Sequence, residues 1–151
     1  MTAPSDSTWR THLVDDDAGI RRILESTRTV AVLGVKIRES GQPAYYVPEY
    51  AQRAGYDVIP VPVYYPDVTE ILDAPVHRTL ASIPGPVDMV NVFRRPRDID
   101  AHVDDMLAKQ PRTVWFQQGI RNEAAAERLA RAGIDVVQDR CLLVELRAIG
   151  R

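Results

Sequence analysis

Short apolar runs rich in β-branched residues recur along this chain, beginning near Val30 (VAVL), Val58 (VIPV), Met89 (MVNVF), Thr113 (TVWF) and Ile134 (IDVV). Their spacing of roughly 25 to 30 residues is that of β-α-β units, because a parallel strand needs a crossover long enough to hold a helix. The segments between them have the other period. Ala44, Val47, Ala51 and Ala54 lie three or four residues apart, as do Ile99, Val103 and Met106, so each set marks one helix face. NEAAAERLARAG supplies Asn122 as N-cap, Glu123 at the positive end of the helix dipole, Ala126, Leu129 and Ala130 facing inward, and Gly133 as the stop.

Nearly continuous apolar strands alternating with helices imply a parallel sheet covered on both faces, and right-handed crossovers leave a doubly wound topology. The expectation is a three-layer αβα fold of the α/β class with five parallel strands in the order 3-2-1-4-5. A further helix, at about residues 17–26 with Ile20, Ile23 and Leu24 inward, precedes the first strand. The connection PVYYPDVTEILDAPVHRTLASIPGP is proline-rich and holds at most a short helix near Thr79 to Ile83. No linker or repeat interrupts the chain, so residues 1–151 are read as one domain.

The formal charge of −2 argues against a protein whose task is gripping nucleic acid. No apolar run approaches the roughly 18 residues of a membrane span, and MTAPSDSTWRTHLVDDD lacks the basic-then-apolar order of a signal peptide. A single cysteine, Cys141, forms no internal disulfide, which fits a reducing compartment. The expected location is therefore the cytoplasm.

Ligands of doubly wound sheets bind beyond the carboxyl ends of the strands, where strand order reverses. Four chemically unusual segments follow those ends: GVKIRESGQP, PVYYP, RRPRD and QQGIRNE. Gly34 closes an apolar strand and is followed by Lys36 and Arg38, the pattern of a backbone that approaches a phosphate. Arg94, Arg95 and Arg97 stand at a helix start, where cations oppose the dipole unless an anion lies nearby. A dinucleotide fits poorly. The G-x-G-x-x-G fingerprint is absent, since the next glycine after Gly34 is Gly41, and VIPVPVYY carries no acidic residue for a ribose diol.

Taken together, VAVLG, RESGQPAYYVPEYAQRAGYDVIPVPVYY, PVDMVNVFRRP and TVWFQQGIRNEAAAERLARAGIDVVQDRCLLVE resemble the small stand-alone coenzyme A-binding proteins of the YccU-like kind. Their Rossmann-like domain is similar to the N-terminal domain of the succinyl-CoA synthetase alpha subunit. The resemblance spans about residues 29–145, and its W-x-Q-x-G-I and D-R-C stretches are specific in combination. It implies coenzyme A or acyl-CoA as ligand. Gly34, Val35, Lys36, Arg38 and Ser40 would then line the diphosphate, and Pro62, Val63 and Tyr64 would flank the adenosine. Phe93, Arg94 and Arg95 would hold the base or the 3′-phosphate, and Gln117, Gln118 and Gly119 the pantetheine arm. The VPVYY segment resembles the family's V-N-P turn, from which Val63 and the tyrosines Tyr64 and Tyr65 depart.

The related synthetases work through a phosphorylated histidine on another domain. Neither His12, His77 nor His102 stands in such a setting, and none has metal-ligand spacing with Cys141. His102, four residues after Asp98, reads as an exposed helix pair. Cys141 reads as a small buried apolar group, or as a reactive thiol if Arg140 lowers its pKa. The expected function is non-catalytic binding, as carrier, sensor or subunit. An NAD(P)-dependent oxidoreductase, a CoA-ligase-type subunit needing a partner chain, and a nucleotide-free interaction module stay open, as do a protein partner and a homodimer.

Overall fold

A computed structural model describes residues 8–151. Residues 1–7, the start of the segment read as carrying no signal peptide, lie outside the described residues. A 3₁₀ turn at Thr8–His12 leads into α1 (Asp17–Ser26), and the chain continues through β1 (Thr29–Leu33), α2 (Pro43–Arg53) and β2 (Asp57–Val61). A two-residue-per-strand hairpin, β3 (Glu70–Ile71) and β4 (Ala74–Pro75), comes next. It is followed by β5 (Met89–Val92), α3 (Asp100–Lys109), β6 (Thr113–Phe116), α4 (Glu123–Arg131), β7 (Asp135–Val137) and α5 (Leu142–Ala148). No helix among the described residues is long and apolar enough to cross a membrane.

The sheet is parallel and five-stranded, in the order β2-β1-β5-β6-β7. The α/β doubly wound class is thus as expected, but the third strand is reassigned. The strand at Met89 was placed outside the second strand, at an edge; it stands instead beside β1, in the centre. All four residues of β5 are buried, its edges paired with β1 and β6 and its faces covered by the helices. The position outside β2 goes to the short segment after β4, where the His77 amide donates to the Pro60 carbonyl at 3.0 Å. Counted along the chain, the five strands of the sheet therefore run 2-1-3-4-5, with β5 the third. Pro60, which has no N–H, is tolerated because β2 is an outer strand.

Side chains alternate across the sheet, so two apolar layers form although the strands show no polar face. Val30, Val32, Met89, Trp115 and Val137 pack against α1, α2 and α5 through Ile23, Leu24, Val47, Ala51, Leu142 and Leu146. Ala31, Leu33, Val90, Val92, Val114 and Phe116 pack against α3 and α4 through Ile99, Val103, Met106, Ala126 and Leu129. The predicted 3.6-residue stripes are therefore the buried faces. Asn122 Oδ1 accepts from the Ala125 amide at 3.0 Å, as an N-cap should. Thr79 to Ile83 forms a turn, with the Ser82 amide donating to Thr79 Oγ1, and Leu80 and Ala81 amides are both held by Asp105. Helix α5 was not expected.

At the opposite end of the sheet, Asp88 Oδ2 accepts from the Arg28 and Thr29 amides at 2.8 and 3.1 Å, and the Asp88 amide donates to Thr29 Oγ1. Burial works to raise the Asp88 carboxyl pKa, but the Thr29 and Arg28 amides and the Thr29 hydroxyl outweigh it and hold the group below the usual carboxylate range. A depressed carboxyl supplies stability above its unfolded pKa of about 3.9 and loses it as pH falls through the folded value. Asp88→Ala is expected to lower unfolding free energy by about 1–2 kcal/mol at pH 7. Urea unfolding at pH 7 and at pH 3 checks this: the gap between wild type and variant should narrow in acid.

Candidate functional site

Strand order reverses between β1 and β5, and the site residues gather at the carboxyl ends of those strands and their neighbours. Gly34 follows β1 with φ +86°, its amide donating to the Val61 carbonyl at 2.9 Å. A Cβ at Gly34 would lie 2.4 Å from the Phe93 carbonyl oxygen and 3.2 Å from Arg94 Cδ. The positive φ and the missing Cβ thus let β1 and β5 end against one another, which is why the strand stops on glycine. Phe93 completes the junction by donating its amide to the Leu33 carbonyl at 2.9 Å.

The loop after Gly34 is anchored through a proline. Pro48 lies inside α2 and has no N–H, so the Ala44 carbonyl four residues earlier lacks its helical donor. That carbonyl accepts the Lys36 amide instead, at 3.1 Å. The loop is thereby tied to α2, and the Val35 and Ile37 amides donate to no group among the described residues. The Lys36 ammonium and the Arg38 guanidinium have no carboxylate within ion-pair distance among the described residues. Arg38 rests over the Tyr45 ring, 5.6 Å from its centroid. Among the described residues, two cations without a carboxylate partner thus stand beside two amides without an acceptor.

Val35 does not turn its side chain outward. It is 1% exposed and part of the core, so only its backbone faces the loop. Ser40 Oγ accepts the Gln42 amide at 3.2 Å, serving the entry to α2.

On the β2 side Pro62 is buried, while Val63 and Tyr64 are 38% and 54% exposed. The Arg94 guanidinium lies 5.8 Å from the Tyr64 ring centroid and its Nη1 donates to the phenol oxygen at 3.4 Å. Arg94 Nε also donates to His102 Nε2 at 3.2 Å, which requires a neutral imidazole accepting at that nitrogen. His102 is therefore a half-buried partner of Arg94, not an exposed partner of Asp98. Burial and then the Arg94 charge push its pKa down. The Asp98 carboxylate is taken by Arg95 at 2.7 Å. Donation from Arg94, and then its charge, lower the Tyr64 pKa.

Gln117 is also turned inward. It is 4% exposed, and its Oε1 accepts from the Leu142 amide at 3.2 Å and from Asn91 Nδ2 at 3.3 Å. It caps the first amide of α5 from the end of β6. Gln118 is exposed, and Gly119 at φ +82° donates its amide to Asp139 Oδ1 at 2.6 Å. Cys141, half-buried, shares a cleft of about 350 Å³ with Gln118, Asp139 and Arg140. The Arg140 guanidinium turns to Asp15 and Glu145, so its charge is already paired. A larger cleft of about 630 Å³ opens between α2 and the β3–β4 hairpin, sharing only Arg38 with the expected residues.

The candidate residues thus form a shelf along the carboxyl ends of the strands, with cations and amides at Lys36–Arg38, an aromatic-guanidinium pair at Tyr64–Arg94, and a turn at Gln118–Gly119. Sequence reading missed His102, Tyr45 and Asp139 as supports. It also missed Arg78, whose guanidinium reaches four carbonyls of residues 64–68. Its acceptors are backbone atoms, which no motif marks. Among the described residues no group of three His, Cys, Asp or Glu side chains is placed to hold a metal ion.

The chain is 35% identical over 127 residues to the Uncharacterized protein YneT of Bacillus subtilis (strain 168), an overlap of 84% of this chain and 91% of that protein. Among solved structures, "cell-free ID.343" from Thermus thermophilus is similar at 38% identity and a TM-score of 0.81, covering 89% of this chain and 99% of that one. A hypothetical protein from Pyrococcus horikoshii OT3 is similar at 28% identity and a TM-score of 0.81, covering 99% of each chain. Residues 28–147 match the CoA binding domain, a stretch that runs from the residue before β1 into α5 and includes every element of the shelf. With its sheet, its Gly34 junction and that match, this chain belongs to the CoA binding domain family.

Proposed function

We propose that this chain binds coenzyme A or an acyl-CoA across the shelf and acts as a carrier, sensor or subunit, with no bond-making step of its own. The observation that carries the reading is the loop after Gly34, where, among the described residues, the Lys36 and Arg38 charges have no carboxylate partner and the Val35 and Ile37 amides no acceptor. A diphosphate is the ligand group that such a set of donors suits, with amides supplying direction and cations supplying charge. Tyr64 and Arg94 offer the adenosine a ring face and its 3′-phosphate a guanidinium, with Pro62, Val63, Phe93 and Arg95 around them. Gln118 and the Gly119 turn would guide the pantetheine arm toward Cys141. Gln117 and Ser40 serve through the loops they hold.

Titration calorimetry with CoA, dephospho-CoA, NAD and NADP tests this. CoA is expected to bind most tightly and to lose affinity without its 3′-phosphate. Lys36→Met and Arg38→Met are each expected to weaken CoA binding by about 1–3 kcal/mol, the usual worth of a charge-assisted contact. Equal binding of NAD and CoA would favour an oxidoreductase, and binding of none of the four a nucleotide-free interaction module. An affinity unchanged in both variants would show Lys36 and Arg38 to be solvated loop charges.

A further inference from the structure

We propose that Arg78 is the positioning residue of the adenosine end: its guanidinium gathers the carbonyls of the loop after β2 and thereby holds Tyr64 against Arg94. This rests on the CoA reading above. Arg78 Nη1 donates to the Tyr64 carbonyl at 3.1 Å. Its Nη2 donates to the carbonyls of Tyr65 and Val68, both at 2.8 Å, and more distantly to Pro66 at 3.4 Å.

Carbonyl oxygens converging on one point repel one another, and a cation at their focus reverses the sign of that interaction. The planar fork of arginine reaches several acceptors at once, which the point charge of lysine does less well. The loop also holds Tyr65 at φ 63°, a conformation that a non-glycine residue adopts only when its surroundings enforce it.

The β3–β4 hairpin explains how Arg78 comes to be there. The Val76 amide donates to the Thr69 carbonyl and the His77 amide to Pro60, so the chain returns along β2 and delivers the next residue beneath the loop. Above it, Tyr64 is more than half exposed and meets Tyr65 edge-on, with ring centroids 6.5 Å apart. Packing alone does little to hold a ring so exposed. Its place over Arg94 depends on the backbone that Arg78 draws together.

The test uses Arg78→Met and Arg78→Lys in the full chain. Arg78→Met is expected to weaken CoA binding at least about tenfold, while binding of 4′-phosphopantetheine, which lacks the adenosine, stays within about twofold. Arg78→Lys should recover part of the loss. A second readout needs no ligand. The ultraviolet titration of the Tyr64 phenol, taken as the difference between each protein and its Tyr64→Phe counterpart, should begin below the ordinary tyrosine range in the wild type and return toward it in Arg78→Met. CoA affinity within twofold of wild type, or a Tyr64 titration that does not move, overturns the proposal. If the wild-type chain binds no CoA, the proposed function fails, and the Tyr64 titration alone then decides whether Arg78 positions that ring.

Discussion

Gly34→Ala is expected to lower the unfolding free energy by about 3 kcal/mol and to abolish measurable CoA binding. Two independent penalties combine. A residue with a Cβ held at φ +86° is strained by roughly 1–3 kcal/mol. Overpacking then adds about as much again, because the new methyl would sit 2.4 Å from the Phe93 carbonyl oxygen and 3.1 Å from its carbon. Both contacts are backbone of the residue that follows the central strand β5, which no rotamer change relieves. Relief requires β1 and β5 to part at their carboxyl ends, loosening the Phe93 amide from the Leu33 carbonyl and moving Arg94 and the Lys36 loop together. Denaturant unfolding followed by calorimetry on the folded fraction measures both effects. A variant as stable as wild type, with unchanged CoA affinity, would mean that the junction is pliable and that glycine is incidental there.

How much of this was legible in the sequence depends on the range of the interaction involved. Helix α1 runs over Asp17–Ser26, as its stripe and flanking residues indicated, and Asn122 caps α4 with its own side chain. Such features are set by residues within one turn of each other. Gly34 was legible for a similar reason, since a glycine closing an apolar strand marks a close approach whatever the partner. Strand order was not, because the expected third strand and the Ala74–His77 segment differ in how many neighbours they pair with, and pairing is not a local property.

Long-range hydrogen bonds account for the remaining surprises. Arg78 is fixed by carbonyls 10 to 14 residues away, and Val35 is turned inward by the same backbone course that leaves Lys36 half-buried. In the W-x-Q-x-G-I stretch, sequence resemblance marked three successive residues as a ligand-facing set. The structure separates them: Gln117 points into the interior, Gln118 outward, and Gly119 turns the chain.

Gln117→Leu is accordingly expected to act on stability before it acts on binding. Its Oε1 is shared by the Leu142 amide, the first residue of α5, and by Asn91 Nδ2 from the centre of the sheet. Leucine removes the acceptor and leaves a buried backbone donor without a partner, at a cost of about 1–3 kcal/mol. Asn91 is fully buried and its Oδ1 has no partner among the described residues, so a weakened Nδ2 contact leaves that side chain with the long 3.4 Å bond to the Trp115 carbonyl. A loss of about 2–4 kcal/mol in all is expected, with α5 loosening first, since Cys141 gives it no side-chain cap. Adding Asn91→Leu to Gln117→Leu should recover part of it, because replacing both polar partners by apolar groups is far cheaper than orphaning one. Urea unfolding of the four proteins in this cycle, with hydrogen exchange at residues 142–148, gives the answer. Were Gln117 instead a side-chain contact to the pantetheine arm, the variant would keep its stability and its α5 protection, and would lose only its grip on CoA.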